Sequence, residues 1–136
     1  MDAGVLVDSS VLLDLFTDDP RWSEWSERTL EREAATRPLC LNPIIYAEIT
    51  IGFARIEQCD AALASLECRF LEVPREALFL AGKAFLSYRQ RGGVRTAPLP
   101  DFFIGAHAAV ARLPLIMRDP GRIRHSFPSV QLICPP

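Results

Sequence analysis

Histidine and cysteine are scarce in this chain and lysine is nearly absent: its 136 residues include two His, four Cys and one Lys. The cysteines, at positions 40, 59, 68 and 134, form no CxxC pair. That spacing excludes the usual zinc site and redox dithiol. They read instead as small buried hydrophobes in a reducing compartment, with the cytoplasm as the default. No apolar run approaches the ~20 residues of a membrane-spanning helix. "ALFLAG" (77–82) is among the longest. The opening "MDAGVLVDSS" lacks the basic region of a secretory signal. Absent too are GxxxxGK[ST], G-x-S-x-G and any supported Cys–His arrangement, which excludes P-loop nucleotide binding and the common nucleophile motifs.

What is present is an ordinary globular composition, 49% apolar and 24% charged, on a length that makes one domain over 1–136. The net charge of −2 is unevenly spread. Residues 1–80 hold seven Arg against fifteen acids, or −8, and residues 81–136 hold seven Arg and one Lys against two Asp, or +6. The basic half groups Arg89, Arg91 and Arg95, then Arg118, Arg122 and Arg124. Such groups read either as solvated helix ends or as a surface that meets phosphates. The preference for Arg over Lys leans toward bidentate anion binding.

Short apolar strands alternate with helical segments. The expected strands are "GVLV" (4–7), "LCL" (39–41), "FLEV" (70–73), "LIM" (115–117) and "VQLI" (130–133). Between them the patterns predict helices over "SSVLLDLF" (9–16), 20–35 with Pro20 in the first turn, 43–56, 57–66, 74–91 stopped by Gly92 and Gly93, and the apolar segment opened by Asp101. This alternation indicates an α/β fold with a parallel sheet covered on both faces. Sites in such sheets form beyond the carboxyl ends of the strands, where strand order reverses.

Four carboxylates stand at suggestive places. Asp8 ends the first strand and Asp119 lies just past the fourth, so neighbouring strands would open both into one crevice. Asp101 begins an otherwise apolar helix. Glu48 has Ile44, Ile45, Ile51 and Gly52 as its i±3 and i±4 neighbours, an acid in an apolar stripe. Asp8, Asp101 and Asp119 each read alternatively as helix N-caps. Mid-helix Glu48 does not, and a buried carboxylate is costly without a cation. An all-oxygen set suits Mg²⁺ or Mn²⁺. His107, on another face of the Asp101 helix, reads as a core residue, and His125 as exposed. Acid–base work then falls to carboxylates and metal-bound water. Ser10 stands where a haloacid-dehalogenase-type phosphatase needs a second Asp.

Taken in order, "VLVDSSVLLDLF", "NPIIYAEI", "LPDFFIGAHA" and "LIMRDPGRIRHSFP" resemble the acidic motifs of the PIN domain, and more closely those of VapC-type ribonuclease toxins. The likeness runs from about residue 3 to residue 133. It implies a three-layer α/β/α sandwich around a five-stranded parallel sheet, and a Mg²⁺- or Mn²⁺-dependent endoribonuclease. Asp8 and Asp101 would hold the metal most directly, with Glu48 and Asp119 completing the charge. Ser9 matches the family's small polar residue after the first Asp. Ser9, Arg118 and Arg122 are candidates for binding substrate RNA. The resemblance also implies a cognate antitoxin and a homodimer. One departure is Met117, where the family commonly has Thr, Ser or Asn; a thioether donates no hydrogen bond to orient Asp119. Two rival readings follow: a PIN-fold RNA- or protein-binding module with a weakened site, and a different Mg²⁺-dependent phosphoesterase.

Overall fold

The computed structural model describes residues 4–92 and 99–136. Five short parallel strands form one sheet: β1 (Val5–Val7), β2 (Leu39–Leu41), β3 (Arg69–Phe70), β4 (Leu115–Ile116) and β5 (Leu132–Ile133). Their order is β3-β2-β1-β4-β5, so the switch of direction lies between β1 and β4. These two central strands and β2 are buried from end to end, which explains their unbroken apolar runs. β3 and β5 are exposed and half-buried edges. β3 lies at 69–70 rather than the expected 70–73, and β4 and β5 each cover two residues of the runs expected at 115–117 and 130–133.

Among the described residues, seven α-helices connect the strands: α1 (Ser9–Phe16), α2 (Ser23–Ala34), α3 (Pro43–Ile49), α4 (Ile56–Ser65), α5 (Arg75–Gln90), α6 (Leu99–Ala111) and α7 (Gly121–Ser126). Right-handed crossovers place α1–α4 over one face of the sheet and α5–α7 over the other, giving the three-layer α/β/α sandwich. The packing of α1 on α2 and α3, and of α6 on α5 and α7, follows this division. None of these helices is long and apolar enough to cross a membrane.

Several helical segments differ from the sequence pattern. α2 starts at Ser23 rather than Pro20, because the Asp19 carboxylate accepts hydrogen bonds from the Arg21 and Trp22 amides and holds the chain in a turn. The helix expected over 43–56 ends at Ile49, passes through a 3₁₀ turn at Thr50–Gly52 and breaks at Phe53, whose backbone is extended. The segment after Asp119, expected only as a short connection, forms α7. Gly105 lets α6 approach α7 closely: a Cβ there would meet the Phe127 ring at 2.5 Å.

Candidate active site

Asp8 is the first residue beyond β1, and its amide still bonds the Ile116 carbonyl of β4 at 2.9 Å. It caps α1: one carboxylate oxygen accepts from the Ser10 amide (3.3 Å) and the Ser10 hydroxyl (2.6 Å). The capping reading is therefore correct for Asp8. The Ser9 hydroxyl donates across to Glu48 Oε1 at 2.8 Å, which joins the start of α1 to the last turn of α3. Glu48 is half-buried, and the apolar stripe expected around it is only partly real. Ile45 is buried, but Ile51 is 81% exposed because α3 has already ended.

Asp101 does not begin its helix. Leu99 and Pro100 precede it in the first turn of α6, where proline is tolerated because its missing N–H would have no partner. Burial is the main cause that lifts the Asp8 carboxyl above its ordinary value of 3.8; the charge of Asp101 adds to this, and the hydrogen bonds from Ser10 and Ser9 oppose it. Burial likewise raises Glu48 above 4.5, opposed by the Ser9 bond and reinforced by the charges of Asp8 and Asp101. Asp8, Glu48 and Asp101 thus form one repelling group at the carboxyl edge of the sheet. Among the described residues, no Lys or Arg makes an ion pair with Asp8 or Glu48.

Asp119 follows β4 and is exposed, with one oxygen 3.4 Å from the Gly121 amide. It does not cap α7, whose N-cap is Pro120. Met117 beside it is buried. Arg118 lines a crevice of about 440 Å³ together with Ser9, Ser10, Leu13, Asp14 and Glu48. Its guanidinium lies over the Trp22 ring, 5.3 Å from the centroid, with Nε 3.0 Å from Asp14 Oδ2. The Nε–H is not aimed at that oxygen, so the contact is an ion pair rather than a hydrogen bond. The Arg122 side chain and Arg95 lie outside the described residues. Arg89 packs over Phe85, and Arg91 donates to Ser87.

Two polar residues escaped the sequence reading. Asp14 is buried on α1 and accepts a 3.0 Å bond from Ser26; the signal was an acid inside "VLLDLF". Asn42 is fully buried at the end of β2 and caps α3, bonding the Ile45 amide at 2.9 Å. The signal was Asn directly before Pro43. His107 is a core residue as expected, 2% exposed, and burial lowers its pKa.

Every candidate ligand among Asp8, Glu48 and Asp101 is a carboxylate oxygen, the donor type that hard divalent cations take. A cation is also what would relieve their mutual repulsion. The Asp8 and Glu48 side chains are turned to Ser10 and Ser9, and among the described residues no three His, Cys, Asp or Glu groups stand in ion-holding geometry.

A stability effect follows from the raised carboxyls. The folded Asp8 and Glu48 keep protons that the unfolded chain loses at 3.8 and 4.5, so their contribution is greatest below those values and fades as pH rises through the folded ones. In EDTA, Asp8→Asn is therefore expected to gain melting temperature relative to wild type as pH is raised from the carboxylate range to neutrality. A difference that stayed constant with pH would contradict the burial and repulsion described above.

The family model for the PIN domain matches residues 5–127. No curated protein is significantly similar in sequence. Solved structures share the fold over nearly the whole chain. VapBC2 from Rickettsia felis bound to a DNA fragment from its promoter is 16% identical, with 97% of this chain and 98% of that chain covered and a TM-score of 0.75. VapBC-1 from nontypeable Haemophilus influenzae is 18% identical, with 97% and 98% covered and a TM-score of 0.72. A toxin–antitoxin complex from Klebsiella pneumoniae is 22% identical, with 93% and 95% covered and a TM-score of 0.68.

Proposed function

Because the chain belongs to the PIN-domain family, we propose that it is a divalent-metal-dependent endoribonuclease of the toxin type, held inactive by a cognate antitoxin. The observation that carries this reading is the carboxylate group of Asp8, Glu48 and Asp101 at the switch point of the sheet, repelling one another, with no cationic partner to Asp8 or Glu48 among the described residues. Asp8 and Asp101 would hold a Mg²⁺ or Mn²⁺ ion, with Glu48 completing the negative charge. When bound, such an ion supplies activated water and offsets charge on the phosphate under attack.

The chain's own residues do the positioning. Ser10 holds the Asp8 carboxylate at the start of α1, and Ser9 holds Glu48 toward it. The crevice beside them gives an RNA strand room at the Glu48 side of the carboxylate group, with Arg118 on its wall and Arg122 a further candidate for the backbone. Arg118 is partly spent on Asp14, so its help to a phosphate requires loosening that pair. Asp119, exposed and beside a methionine, is assigned an auxiliary part. The similar structures in complex support an antitoxin partner. Exposed Phe79 and Leu86 on α5 support a homodimer. The cytoplasm is the compartment that fits the four free cysteines.

Purified protein free of antitoxin is expected to cleave a labelled RNA pool with Mg²⁺ or Mn²⁺ and to stop in EDTA. Metal uptake with RNA retained but uncut would make the chain a binding module instead. Hydrolysis of a phosphomonoester with RNA left intact would make it a different phosphoesterase.

A further inference from the structure

Asn42 and His107 are enclosed in the core, one fully buried and the other 2% exposed. Asn42 Oδ1 accepts from the Ile45 amide, which settles the orientation of the side-chain amide. Its Nδ2, 3.0 Å from His107 Nδ1, must therefore be the donor. The imidazole accepts at Nδ1, carries its proton on Nε2 and is neutral. The bond spans two layers: α3 carries Glu48 six residues after Asn42, and α6 carries Asp101 six residues before His107. Those two helices pack against each other.

We propose that the Asn42–His107 hydrogen bond is a positioning element that holds α3 and α6 in register, keeping Asp101 beside Asp8 and Glu48. This rests on the reading of those three carboxylates as cation ligands. Three acids that repel one another push their helices apart, and the apolar core around α3 and α6 resists sliding only weakly because hydrophobic contact has no preferred direction. One donor facing one acceptor inside the core does have a direction. A shift of either helix leaves both atoms buried and unsatisfied, a state the interior penalises. An apolar pair of similar shape would stabilise the fold as well, so register is what the polar pair adds. The same bond reaches Glu48 through the cap of α3, so one amide sets both the start of that helix and its offset against α6.

The test is Mn²⁺ binding to the full chain, read by electron paramagnetic resonance well below the unfolding temperature. Wild type is compared with His107→Leu, His107→Gln and Leu30→Ala. Leu30, buried on α2, controls for lost stability alone. His107→Leu is expected to weaken Mn²⁺ binding about 10- to 100-fold. His107→Gln, whose amide oxygen can accept from Asn42, recovers most of that loss, and Leu30→Ala binds as wild type does. Asn42→Ser keeps a capping hydroxyl but lacks the longer amide whose Nδ2 reaches His107, and gives the same loss from the other end should His107→Leu fail to fold. If the variants that break the bond bind Mn²⁺ no more weakly than Leu30→Ala, the proposal is overturned while the cation reading stands. Wild type that takes up no Mn²⁺ overturns the cation reading, and this proposal with it.

Discussion

Asp101→Asn is expected to keep the fold and to lower metal-dependent RNA cleavage by at least about 100-fold, since removing a direct carboxylate ligand costs no less than removing a group that supports one. The substitution changes charge and almost nothing in shape. Asp101 lies in the first turn of α6, where a negative charge is worth about 0.3–1 kcal/mol against the helix dipole. That small loss is offset in part, because the variant also removes a charge that repels Asp8 and Glu48. Initial cleavage rates and melting curves, taken on the same preparation, separate the two effects. Unfolding of the variant would show that Asp101 serves the helix. Undiminished cleavage by a folded variant would remove it from the site.

Two residues before Asp8 the balance is reversed. Leu6→Ala is expected to cost about 2–5 kcal/mol in urea denaturation, the range for emptying a fully buried leucine site. Leu6 has no exposure, sits on the central strand between β2 and β4, and its amide bonds the Pro114 carbonyl at 2.9 Å. Neighbouring backbone held on both sides by ladder bonds cannot collapse into the cavity, which favours the upper part of that range. A loss below about 1 kcal/mol would mean that β1 is not packed on both faces as described. β1 therefore carries both kinds of residue: Leu6 stabilises the sheet, while Asp8 at its end costs stability to the metal-free fold.

The sequence by itself determined the elements whose local signals agree with their burial. β1, β2 and β4 are continuous apolar runs because both faces are covered. α5 ends before Gly92 because that residue takes φ 76°, which glycine adopts without strain. Asp8 after the first strand and Asp101 before the fourth were legible as acids in apolar company. Tertiary structure alone decided the rest. α3 stops at Ile49 although "PIIYAEITIGFARI" continues a helical pattern, and this leaves Ile51 on the surface. Arg118 reads in sequence as one more basic residue, yet the fold turns it onto Trp22 and Asp14. Asp119 reads as the fourth member of a set, yet it stays exposed while the other three share one field. Asn42 and His107 are 65 positions apart, and nothing local marks them as partners. Periodicity and capping act over a few residues, so they are written in the chain. Charge repulsion and directional bonds between layers depend on distances that exist only once the sheet has closed.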